Sequence, residues 1–149
     1  MTPSARLLRA PWQPGPASAG TAGPVLVSVT EFTADSGPRS VGVAVNGLRL
    51  RRSWPATEGA VGIWLWTDPV RRRSGSVSAW TDVRHLTAFV RRPDHARTVR
   101  AFRGHGTTRA TAWTVPHWDA AAVWRAAREI LVGAAPWPAP SYGTGRSAR

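Results

Sequence analysis

The chain has 149 residues, no cysteine and no lysine, and its 20 arginines leave a net charge of +12. The length suits one domain with a sizeable core, and the missing cysteine excludes disulfides, thiolate metal centres and a cysteine nucleophile. No apolar run approaches the roughly 18 residues of a membrane span, and no signal-peptide core follows Arg6 and Arg9, so a cytoplasmic location is expected.

Residues 1–24 are rich in Pro, Ala and Gly without periodicity, which predicts a disordered lead-in. Residues 25–32 alternate Val25, Val27 and Val29 with Leu26, Ser28, Thr30 and Phe32 and predict the first strand. Residues 37–46 read as a short helix opened by Ser36 and Pro38 and stopped by Gly47. Val41, Val43 and Val45 fit a strand there equally. Residues 48–54, with Leu48 and Leu50 alternating with Arg49 and Arg51, predict a strand. Residues 61–66 predict another, with Ile63 and Leu65 on one face and Gly62, Trp64 and Trp66 on the other.

Asp68 and Pro69 open a basic loop, Arg71-Arg72-Arg73, whose role the sequence leaves open. A hairpin with an arginine-rich tip is expected, returning through residues 74–80. Here Ser74, Ser76, Ser78 and Trp80 alternate with Gly75, Val77 and Ala79. Residues 82–92 predict an amphipathic helix with Thr81 as N-cap, because Val83, Leu86, Phe89 and Val90 fall in a stripe of roughly 120°. A straight continuation would put Val99 and Phe102 on the opposite side. Pro93 resolves this by ending one helix and starting another, in which His95, Val99 and Phe102 share an inward face. Residues 107–115 form the last predicted strand, with Arg109, Thr111 and Trp113 against Thr108, Ala110 and Ala112. Pro116 stops it. Asp119 then caps a helix with an apolar face of Val123, Ala127, Ile130 and Leu131, ended by Gly133. Residues 25–133 are thus the expected domain, and residues 134–149, with the only tyrosine, Tyr142, a disordered tail.

This order of elements fits a ferredoxin-like α+β unit with an antiparallel sheet, helices on one face and a further C-terminal helix. The run Val77-Ser78-Ala79-Trp80-Thr81, followed by Phe89-Val90 and then His95 after the break, resembles the antibiotic-biosynthesis-monooxygenase-like superfamily. Within it, the chain resembles the branch that includes spheroidene-monooxygenase-like proteins, over about residues 25–115. The resemblance implies a homodimer whose two sheets pack face to face into an α+β barrel. It also implies oxidation of an apolar aromatic or polyene-type secondary metabolite by oxygen, either without cofactor or with haem bound through a helix histidine.

On this reading Ile63, Leu65, Val77, Ala79, Ala110 and Ala112 lie under the helices. Trp64, Trp66, Ser78, Trp80, Arg109, Thr111 and Trp113 face the barrel interior, as interface core or as the wall of a ligand cavity. His95 becomes the general base, or the proximal ligand if haem is bound, and Arg109 stabilises an enolate or phenolate. Trp64, Trp66, Ser78, Trp80, Thr111 and Trp113 bind substrate. The ten-residue spacing of His85, His95 and His105 does not align them for a metal triad. No phosphate loop, HExxH motif or nucleophile elbow occurs. Two rival readings remain. A single-stranded nucleic-acid binder would stack bases on Trp64, Trp66, Trp80 and Trp113, although no RNP-type motif is present. A non-catalytic ligand-binding protein would keep the cavity without the chemistry.

Overall fold

A computed structural model describes residues 7–18 and 22–139. The alternating segments become the strands β3 (Val25–Ala34), β4 (Ala60–Asp68), β5 (Arg73–Trp80) and β6 (Gly106–Val115). Two short strands precede them, β1 (Leu8–Arg9) and β2 (Gln13–Pro14). All pairings are antiparallel, and the order is β1-β4-β5-β3-β6, with β2 also on β4. The helices are α1 (Gly37–Arg52), α2 (Val83–Val90), α3 (Pro93–Phe102) and α4 (Ala120–Leu131). From β3 to β6 the connection β-α-β-β-α-β, with the second helix split in two, is the ferredoxin-like α+β fold.

Opposed residues of an antiparallel pair share a face. Ile63 lies opposite Ser78, and Trp64 opposite Val77. One face therefore carries Leu26, Ile63, Trp80 and Ala112, packed with Trp54, Leu86 and Phe89 from the helical side. The other carries Val27, Val29, Trp64, Trp66 and Val77 against Val123, Ala127 and Leu131 of α4. This corrects the expected grouping, in which Ile63 and Leu65 shared a face with Val77 and Ala79. A one-residue change of register exchanges the faces of a strand, and the four-residue tip between Asp68 and Arg73 sets it the other way. Ala110 does lie on the α1–α3 face but is exposed at the β6 edge.

Helix α1 runs through the segment expected to be a strand. Ser36 caps it by accepting from the Arg39 amide, Pro38 fills the first turn, and Arg49, Arg51 and Arg52 sit where the C-terminal end of the dipole favours cations. The alternation of Leu48 with Arg49 is thus a coincidence of period, with Leu48 exposed. A single 3-10 turn, Trp54–Ala56, follows and buries Trp54. The break at Pro93 is as expected, while the N-cap of α2 is Asp82 rather than Thr81, accepting from the His85 amide at 3.0 Å. Helix α4 has its expected cap, Asp119, and its expected buried face.

Both terminal segments pack where they are described, contrary to the expected disorder. The amide of Ala10 donates to Leu65 O and that of Gly15 to Val61 O. Trp12 lies against Gly62, where a β-carbon would collide with its ring. A two-residue-wide arm thus seals the β4 edge, which would otherwise present unpaired amides. At the other end Thr111 Oγ1 donates to Pro138 O at 2.6 Å, and Trp137 joins the core beneath Arg109. Residues 1–6, 19–21 and 140–149, Tyr142 among them, lie outside the described residues. The tryptophan face expected to meet a second copy is therefore filled from within the chain, by α4, Trp12, Trp118 and Trp137.

Candidate active site

The opposite face is less completely filled. Small polar side chains of β3 and β5, chiefly Thr30, Ser74 and Ser76, occupy positions where larger apolar groups would reach the helices. Thr30 Oγ1 and Ser76 Oγ satisfy each other at 2.9 Å. Above them α1 presents Val43, Ala44 and Gly47, and α3 presents His95, Val99 and Phe102. These groups, with Ile63, Leu65, Trp54 and Phe89, line a half-open cavity of about 760 Å³. Ring-lined apolar space with few polar groups is the usual character of a small-molecule site.

His95 owes its position to the helix break. Arg92 grips Asp94 with two bonds, Nε to Oδ1 at 3.1 Å and Nη2 to Oδ2 at 2.7 Å, and also donates to Thr57 Oγ1. Asp94 Oδ1 in turn accepts from the His95 amide at 2.9 Å. The imidazole stands edge-on to Phe89, centroids 5.0 Å apart. Burial pushes its pKa below the ordinary value of 6.5; a hydrogen bond to the Val90 backbone and the Asp94 charge oppose this, and Arg92 adds to it. The ring is neutral at pH 7, and its Nδ1 is buried without a hydrogen-bond partner among the described residues.

Of the residues expected to form the site, His95 presents its side chain to this cavity; Trp66 borders it from the sheet with its indole on the α4 face, and the others do not line it. Trp80 lies one layer behind it, packed on Trp54 and Phe89, with its Nε1 donating to Ser78 Oγ. Trp64, Arg109, Thr111 and Trp113 belong to the α4 face, where Arg109 sits 4.4 Å above the Trp137 ring. The structure thus separates Arg109 from His95 by the thickness of the sheet. Arg51, Trp54, Ser74 and Ser76 line the cavity and were not among the expected residues. The serine alternation in β5 was the available signal, since serines on an inward face leave room.

An axial histidine must offer iron a nitrogen with open approach while the other nitrogen is held by a second group. His95 Nδ1 is buried and Phe89 flanks the ring, so Nδ1 is not such a ligand. Among the described residues no group of three metal-ligating side chains occurs. The base-stacking alternative also loses its platform, because Trp64, Trp66 and Trp80 are buried. No helix is long and apolar enough to cross a membrane among the described residues.

No protein-family model and no curated protein matches the chain. Solved structures do match its fold. A protein from Shewanella oneidensis superposes with a TM-score of 0.56 at 10% identity, over 63% of this chain and 93% of its own. A ferredoxin-fold protein from Listeria monocytogenes, described as related to antibiotic biosynthesis monooxygenases, gives 0.51 at 12% identity over 62% and 57%. A Lactobacillus acidophilus protein with a provisional monooxygenase assignment gives 0.52 at 7% identity over 64% of this chain. The chain spans half the length of that Lactobacillus protein. The chain therefore has the α+β ferredoxin-like fold that is found in proteins related to the antibiotic biosynthesis monooxygenases.

Proposed function

We propose that the protein is a cofactor-free monooxygenase acting on an apolar aromatic or conjugated small molecule bound between the sheet and helices α1 and α3. The observation that carries this reading is the ring-lined cavity of about 760 Å³ with a neutral histidine in its wall. The fold shared with monooxygenase-related proteins supports it. His95 accepts a proton from an activated C–H or O–H of the substrate, as a base whose lone pair is available at pH 7. The resulting carbanion gives its electrons to dioxygen, a carbon–oxygen bond forms, and the hydroperoxide loses water. The balance is CH₂ plus O₂ giving C=O plus H₂O, with the substrate as the only reductant. The apolar walls keep bulk water from the anion. A homodimer joined through the tryptophan face would require α4 and Trp137 to move aside, and this mechanism needs one chain.

The test is oxygen uptake with a tricyclic anthrone, followed by the absorbance of the quinone product. One O₂ consumed per quinone, with a rate about 100-fold lower in His95→Gln, is the expected result. Binding of the anthrone with no uptake above the uncatalysed rate would leave a ligand-binding protein and overturn the oxygenase.

A further inference from the structure

Six side-chain polar atoms are buried without a hydrogen-bond partner among the described residues, and four of them belong to side chains on the cavity side of the sheet. They are Arg51 Nε, Trp54 Nε1, Ser74 Oγ and His95 Nδ1. Buried polar groups in native proteins are almost always paired, because an orphan forfeits its hydration for nothing. A cluster of orphans around a single void means that the partner comes with the occupant. Two of the four, Arg51 and Trp54, can only donate. The occupant must then supply acceptors.

Charge points the same way. Arg51 and Arg103 line the cavity, while Glu31 at its edge is turned to the other face of the sheet, where Arg73 engages it at 3.4 Å. Arg51 and Trp54 are the best-placed donors. They are three positions apart where α1 passes into the 3-10 turn. Arg51 Nη2 is anchored on Pro11 O at 2.9 Å, which leaves Nε without an acceptor. The Trp54 ring is held by Trp80 and Phe89, centroids 5.0 and 5.2 Å away, so its N–H direction is set by packing.

We propose that Arg51 and Trp54 form a donor pair that selects ligands carrying an anionic oxygen beside an aromatic ring. This rests on the cavity being the ligand site, as in the proposed function, and is independent of any oxygen chemistry. The role expected of Arg109 from the sequence passes to Arg51, on the cavity side of the sheet.

The test uses two fluorescent probes that differ by one charge, 8-anilinonaphthalene-1-sulfonate and N-phenyl-1-naphthylamine, titrated at 0.15 M salt to screen the surface arginines. The sulfonate should bind one per chain and about tenfold more tightly than the neutral probe. Arg51→Met and Trp54→Phe should each bring the ratio towards one while leaving the affinity for the neutral probe unchanged. Arg97→Met, on the exposed side of α3, should leave the ratio as it is. Equal affinities in the unmodified protein would overturn the proposal, as would a ratio that survives both cavity substitutions. A ratio that falls equally in Arg97→Met would also overturn it, by assigning the preference to surface charge. If the neutral probe fails to bind at all, the cavity reading itself fails, and that outcome is distinct from the others.

Discussion

Trp54 meets Trp80 edge-on, ring centroids 5.0 Å apart and planes at 71°, and Phe89 touches both. Trp54 follows α1, Trp80 ends β5 and Phe89 belongs to α2, so one aromatic cluster ties the cavity's helices to its sheet. Edge-to-face contacts add about 0.5–1.5 kcal/mol beyond burial. Trp54→Ala should cost about 3–5 kcal/mol in urea unfolding. Trp54→Phe, which keeps a ring, should cost clearly less. A loss below about 1 kcal/mol for the alanine variant would show that the cluster does not hold α1 in place.

The N-terminal arm should contribute to stability. Trp12 stacks on Trp118 and lies 4.3 Å from Trp64, in a cluster that Trp124 and Arg9 complete. Trp12→Ala should lower the unfolding free energy by about 3 kcal/mol, and removal of residues 1–18 by at least as much. Unchanged melting of the truncated chain would refute the arm's pairing with β4.

The hairpin tip is held by buried charge. Asp68 is 1% exposed. Burial alone would raise its pKa, yet hydrogen bonds from Arg73 and Arg71 outweigh this and hold the carboxyl below its ordinary value. Arg73 also donates to Leu131 O at 2.9 Å, so the pair links the hairpin to the end of α4. Asp68→Ala should destabilise by about 1–3 kcal/mol, since it removes the buried acceptor that Arg71 and Arg73 share at the tip, while Arg73 keeps Glu31 and Leu131 O. A change within 0.5 kcal/mol, the ordinary surface range, would contradict that role.

Burial of His95 has a pH signature. Its folded pKa lies below 6.5, so as pH falls from 6.5 the unfolded chain takes up this proton before the folded one. Stability contributed by the site is then constant above pH 6.5 and declines on acidification below it. Asp68, Asp82 and Asp94 also have lowered pKa values and act in the same sense, but they lose their contribution only as pH drops below about 3.8. Between pH 5 and 6.5, His95→Phe should therefore flatten the decline seen in the unmodified protein. Identical slopes would show that His95 stays solvated.

Period-two and helical spacing made most elements legible from residues alone, and Pro93 announced the break that turns His95 inward. Face assignment was not legible, because the alternation in β4 and in β5 says nothing of how the two align. That parity is decided at the tip, where Arg72 takes a left-handed φ of 56° and the strands close as Asp68 opposite Arg73. The same ambiguity grouped Trp64 and Trp113 with Ser78 and Trp80 on one expected face, whereas Thr30, Ser74 and Ser76 line the α1–α3 cavity and Trp64 and Trp113 pack on the other side. Arg51 was hidden for another reason: its segment has weak amphipathicity as a helix and good alternation as a strand, and only the cap at Ser36 and the burial of Trp54 decide between them. The packing of Trp12 and Trp137 depends on single tryptophans in Pro- and Gly-rich runs, which carry no periodicity to read.

The most direct test of the account is whether ligand occupies the α1–α3 side of the sheet or the tryptophan side. Ala44 lines the cavity and is half-buried on α1, whereas Trp113 packs on the opposite face. N-phenyl-1-naphthylamine should be titrated against Ala44→Trp and Trp113→Ala, with unfolding curves confirming that both variants are folded. The account predicts that the indole introduced at position 44 fills the cavity and abolishes binding, while Trp113→Ala binds as the unmodified protein does. Binding that persists in Ala44→Trp and is lost in Trp113→Ala would place the site on the other face and contradict the account.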